Sequence, residues 1–173
     1  MNETIKTLKE RRSIRKYKEK QISDEELNQI LEAGKYAPTG RGAQSPIMVV
    51  VQDKELIKEL SKINAEIMGI TSDPFYGAPT VVIVLADKTR HTYKEDGSLV
   101  MGNLMNAAHS LGVDSCWINR AKEVFESERG KELLKDWGIE GDYEGIGHCI
   151  LGYRDCEYPK AAPRKTNYVI RIK

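Results

Sequence analysis

The sequence predicts a layered α/β or α+β domain around four or five strands. Two observations carry this: apolar runs of strand length alternate with amphipathic helical stretches, and Gly/Pro-containing passages separate them. A third bears on assembly. Residues 98–112, "SLVMGNLMNAAHSLG", are apolar on most sides, so this helix must be covered all round, which in a chain this size points to a second subunit.

Ile5 and Leu8 among polar neighbours predict a short amphipathic opening helix that runs up to the basic cluster "RRSIRKY", Arg11–Tyr17. Ser23 and Glu26 then form a capping box, with Ile22 and Leu27 as a hydrophobic staple. Leu27, Ile30, Leu31, Gly34 and Ala37 continue one face until Pro38 stops the helix. "PIMVVVQ" from Pro46 is apolar through its middle and predicts a central strand. Asp53 caps a long helix with Leu56, Leu60, Ile63 and Ile67 at helical spacing, and "TVVIVLAD" is a second buried strand. After the apolar helix, stopped by Gly112, come a short strand "DSCWIN", a helical stretch "KEVFESERGKELLKDWG" weakened at Gly130, a strand "GIGHCILGY" and an alternating tail "TNYVIRIK".

The 173 residues suit one domain, 1–173, able to bury roughly two thirds of its unfolded surface without staples. Lys+Arg 27 against Asp+Glu 26 leaves a formal charge of +1, which disfavours nucleic-acid or membrane binding through the net field. Cys116, Cys149 and Cys156 lack C-x-x-C spacing and read as reduced thiols, and no histidine stands at i,i+4 from another or from a cysteine, so no metal is expected. The opening residues lack a signal-peptide h-region and no apolar run reaches a membrane span, which predicts a cytoplasmic protein.

No P-loop, dinucleotide fingerprint, nucleophile elbow or H-E-x-x-H is present. What remains is basic residues near both ends: Arg11, Arg12 and Arg15 around Ser13, and Arg164 with Lys165 in "AAPRKTNY". Either they form a solvated surface, or their guanidinium groups converge on a phosphate.

Four ordered pieces, "RRSIRKY", "EAGKYAPTGRGAQSPIMVVV", "GNLMNAAHSLGVDSCWI" and "GIGHCILGY…PKAAPRK", together resemble the FMN-dependent nitroreductase family over nearly the whole chain. The resemblance implies an α+β fold of three layers, α/β/α, with a mostly antiparallel sheet, in an intertwined homodimer with FMN at the interface. By likeness Arg11 would bind the flavin phosphate, Arg12 and Ser13 the phosphate and ribityl region, and Arg15 the pyrimidine edge. Pro38, Thr39, Gly40 and the matching Gln44 would come from the partner subunit over the ring, Ile118 and Asn119 would flank N5 and O4, and Arg164 and Lys165 would close on the phosphate. Tyr76 would line the substrate side. The loop departs from a common form of the motif at Gly42 and at Ser45–Pro46.

The implied reaction is ping-pong. NADH or NADPH delivers hydride to flavin N5, and a small-molecule acceptor such as a nitroaromatic or quinone is then reduced at the same face. No catalytic side chain is required, because the flavin carries the chemistry. Three alternatives stay open at this point: a flavin-binding or sensing dimer with little turnover, a specialised dehalogenase or flavin-processing relative, and an interaction domain with surface charge.

Overall fold

The computed structural model describes all 173 residues. Its helices are α1 (Glu3–Glu10), α2 (Asp24–Lys35), α3 (Lys54–Met68), α4 (Tyr93–Ser110), α5 (Ala121–Glu126) and α6 (Glu128–Asp136), and its strands are β1 (Pro46–Val51), β2 (Thr80–Asp87), β3 (Asp114–Ile118) and β4 (Tyr143–Gly152). The strands form one sheet in the order β1-β2-β4-β3, antiparallel throughout.

Alternation along β2 builds the layers. Val81, Ile83 and Leu85 face a core shared with Ile57 and Leu60 of α3 and Val124 and Phe125 of α5. Val82 and Val84 face the opposite core, shared with Leu27 and Ile30 of α2 and Val100, Met101 and Leu104 of α4. β4 does the same with Ile150 on one side and Cys149 and Leu151 on the other. Both faces are therefore covered, which is why β2 reads as one continuous apolar run.

The capping signals are formed as expected. Ser23 Oγ accepts from the Glu26 amide at 3.2 Å while Glu26 Oε2 accepts from the Ser23 amide at 2.8 Å, and Ile22 and Leu27 are both buried. Asp53 Oδ1 accepts from the Leu56 amide at 2.8 Å.

Four expectations are corrected. β1 is an edge strand: Ile47 and Val49 pack on one core and Met48 on the other, so its apolar character reflects covered faces, not a central position. The apolar helix begins at Tyr93, five residues before Ser98. The stretch after β3 breaks at Ser127, which ends α5 and caps α6 through its Oγ on the Gly130 amide, while Gly130 itself lies within α6. The tail is not a strand within this chain: Tyr168, Val169, Ile170 and Ile172 are all exposed. α1 likewise buries no residue, and its Ile5 and Leu8 are about half exposed.

Candidate functional site

Two segments carry most of the sequence-predicted residues, one beside β3 and the other against α4. The first runs from Arg11 to Tyr17 along the free edge of β3. Ser13 bridges Ser115 in parallel, the Ile14 amide donates to the Ser115 carbonyl at 3.0 Å, and Tyr17 pairs with Arg154 on the far side. The parallel bridge is a single one, and by Tyr17 the segment has reached Arg154, past the Asp114 end of β3.

Polar groups along this edge lack partners. Arg11 Nη1, Arg12 Nε and Ser115 Oγ are buried with no hydrogen bond. Arg12 also turns its Nη1 onto the carbonyls of Lys9 and Arg11 at 2.8 and 2.7 Å, closing the C-terminus of α1. The Ser13 hydroxyl faces the Cys116 thiol, whose pKa is raised chiefly by burial. Arg15 is exposed.

Tyr158 ties this edge to the end of α4. Its hydroxyl donates to the Glu10 carbonyl at 2.9 Å and lies 3.3 Å from His109 Nδ1, while Arg154, paired with buried Asp114 at 3.2 Å, stacks its guanidinium 5.0 Å from the Tyr158 ring. His109 is held below the ordinary imidazole range, first by burial, with Arg11 and Arg12 adding to it. Beyond Tyr158 the chain is exposed. Arg164 and Lys165 reach neither the edge nor any polar partner, and Lys165 Nζ sits 5.3 Å over its neighbour Tyr168.

The second segment, Pro38–Ser45, packs on the opposite end of α4. Gly40 donates its amide to Asp96 Oδ1 at 2.9 Å, Ser45 Oγ donates to Asp96 Oδ2 at 2.9 Å, and the Gln44 amide donates to Thr39 Oγ1 at 3.1 Å. Arg41, Gly42 and Gln44 all adopt positive φ, of 56°, 64° and 49°. A Cβ at Gly40 would overlap Thr92 Oγ1, so only glycine lets the loop lie this close to α4. Ser45, one of the departures from the motif, is buried and used. The Pro38 and Gln44 side chains point outward.

Asp96 and His109 are thirteen residues apart on one straight helix, about 20 Å at 1.5 Å per residue. Within one chain the two segments are thus at opposite ends of α4.

Ile118 ends β3 with its side chain in the core, Asn119 is exposed, and Arg120 turns the chain at φ 75°. Beneath this turn, opposite Ile118 in register, lies His148, fully buried with its ring 5.1 Å from that of Phe75 and 6.2 Å from that of Phe125. The carbonyls of Ile118 and Asn119 face the ring, yet neither ring nitrogen closes a hydrogen bond, and burial pushes the imidazole down to about 4. Tyr76, at φ 54°, packs half-buried on the same core.

A groove of about 800 Å³ contains none of the sequence-predicted residues. It runs along α3 between Lys54 and Glu66 and the Ile70–Pro79 loop.

Sequence reasoning missed Asp96, Ser115, His109 and Tyr158. Asp96 had one available signal, a carboxylate four residues after Thr92 at the head of an apolar helix, but it fell before the expected helix start. The others gain meaning only through contacts made across the fold.

The family model described as "Nitroreductase family" matches residues 8–73 and 64–153. The chain is 33% identical over 159 residues to a protein of Archaeoglobus fulgidus named for NADH dehydrogenase/NAD(P)H nitroreductase, covering 88% of this chain and 86% of that one. It is 31% identical over 135 residues to an FMN reductase [NAD(P)H] of Bacillus subtilis, covering 65% of this chain and 52% of that one. Its fold superposes with TM-score 0.92 on the crystal structure of a nitroreductase with bound FMN from Bacteroides fragilis, at 29% identity and 100% coverage of both chains. With the antiparallel sheet, the basic edge beside β3 and the loop on α4 all in place, the chain belongs to the nitroreductase family.

Proposed function

We propose that the protein is an FMN-dependent oxidoreductase that uses NADH or NADPH to reduce small acceptors of the nitroaromatic or quinone kind. The observation that carries this reading is the set of orphaned donors, Arg11 Nη1, Arg12 Nε and Ser115 Oγ, along one edge. Buried donors without acceptors are costly, and an anionic phosphate is the kind of group that relieves them. Arg11, Arg12 and Ser13 would hold the phosphate end of FMN, with Ser115 beside them. Arg15, exposed two residues after Ser13, would meet the pyrimidine edge, and Ile118 and Asn119 would border the reactive part of the ring.

Bound FMN supplies hydride acceptance from the nicotinamide and its return to the acceptor. The chain's own groups bind and orient. The Arg15 cation would favour negative charge on the ring, the Pro38–Gln44 loop would cover it and restrict water, and no side chain is needed as nucleophile or metal ligand. Tyr76 belongs to the substrate side in this reading, and Arg164 and Lys165 close over the phosphate once the tail is docked.

The separation of the two segments along α4 supports a homodimer. A two-fold axis through antiparallel copies of α4 would bring the loop of one protomer to the basic edge of the other. The exposed tail and the exposed Ile5 and Leu8 of α1 are the apolar surfaces that such an arrangement would cover. No helix is long and apolar enough to cross a membrane, which accords with the cytoplasmic location we favour.

The test is spectroscopic. Purified protein should be yellow, sediment as a dimer and bleach on anaerobic addition of NADH or NADPH. Colour that does not bleach would favour the flavin-binding dimer, and protein unable to take up added FMN would overturn the reading.

A further inference from the structure

The geometry points to Asp96 as the positioning residue that sets the shape of the Pro38–Ser45 loop before any flavin is bound. This rests on the reading of that loop as the cover of the flavin ring.

Asp96 is 2% exposed and lies in the first turn of α4, where the helix dipole favours an anion. Its Oδ1 accepts from the Gly40 amide at 2.9 Å, and its Oδ2 accepts from Ser45 Oγ at 2.9 Å and from Thr92 Oγ1 at 3.1 Å. The Gly40 amide can only donate, and the Ser45 and Thr92 hydroxyls turn their hydrogens to the carboxylate, so both of its oxygens serve as acceptors. Gly40 and Ser45 bracket the loop, and between them Arg41, Gly42 and Gln44 take up left-handed backbone. Two of these three are not glycine, and such residues stay left-handed only where their surroundings over-determine them. Asp96 supplies that constraint by holding both ends of the strained segment against one rigid helix. Gly40 has no Cβ, so the backbone can lie directly on Thr92.

Asp96 faces into the protein, away from the solvent side of the loop, and it acts through Gly40 and Ser45. Its function is preorganisation: a cover already folded loses little entropy when the ring arrives.

The experiment follows the Gly40 amide by hydrogen exchange in FMN-free protein and, separately, FMN affinity by fluorescence quenching. Asp96→Ala, which removes both acceptor oxygens, should speed Gly40 exchange at least tenfold, leave the β2 amides Val82–Leu85 protected, and weaken FMN binding about tenfold. Thr92→Val should shift both readouts the same way by less, and Thr92→Ser, which keeps the hydroxyl, should match the parent. If Asp96→Ala does not fold, the Thr92 pair decides the matter. Unchanged Gly40 exchange in Asp96→Ala and Thr92→Val, or Thr92→Ser failing alongside Thr92→Val, overturns the assignment. A parent protein that binds no FMN overturns the flavin reading, while Asp96-dependent exchange at Gly40 still supports the clamp.

Discussion

Along β3 the Arg11–Arg15 segment carries buried donors with nothing to bind, whereas the Pro38–Ser45 loop turns the Gly40 and Gln44 amides and the Thr39 and Ser45 hydroxyls onto itself and α4. Arg11 Nη1, Arg12 Nε and Ser115 Oγ have no partner, while Gly40, Thr39 and Ser45 have theirs already. The difference separates two ways of building a cofactor site. An edge with unpaired donors is destabilised until its anion arrives, so it should supply affinity. A loop whose donors are matched is a shaped surface, so it should supply geometry and respond little to the ligand.

The largest effect should come from emptying the first wall. Arg11→Ala combined with Arg164→Ala removes two charge-assisted contacts of roughly 2 kcal/mol each, which predicts FMN binding about a thousandfold weaker. The protein should fold and be almost colourless. Full flavin occupancy in that variant would remove the distinction between the walls.

The second effect concerns what lies under the first wall. Burial holds His148 at about 4, below its ordinary 6.5, so the folded state disfavours its protonation. Stability from this group is complete above about pH 6.5 and is lost as pH falls towards 4, by about 3 kcal/mol in all. His148→Phe keeps a ring between Phe75 and Phe125 and should flatten the acid side of the stability curve, measured by urea unfolding between pH 4 and 7. An unchanged acid slope would show that other groups govern it.

How much of each wall could be read from the sequence follows the same contrast. "RRSIRKY" showed its charges openly, because unpaired cations in a short segment are a compositional signal. The helices and most strands were also readable, since the Ser23–Glu26 box and the β2 run are local patterns. Strand order was not: β1 and β2 look alike in sequence, and only pairing places β1 at the edge. The Asp96 network joins Gly40 and Ser45 to a helix some fifty residues on, and no spacing rule reaches that far.

The second wall should break sterically. Gly40→Ala drives a Cβ into Thr92, so the loop must lift from α4, at a cost of about 2 kcal/mol typical of overpacking. The variant should still bind the FMN phosphate through the arginine edge, with overall affinity falling about tenfold and hydride transfer from NADH slowed in rapid-mixing measurements. Loss of all flavin would show that the loop supplies affinity as well as geometry.

The smallest effect is a control on both walls. Ser23→Ala removes the cap of α2 and should cost about 1 kcal/mol of global stability, seen as a Tm lowered by a few degrees. α2 leads into the loop through Ala37 and Pro38, but Asp96 holds the loop independently of that helix end. FMN affinity should therefore stay at the parent value while Tm falls. A parallel loss of affinity would mean that the loop takes its shape from α2, and that the clamp at Asp96 is only one of two supports.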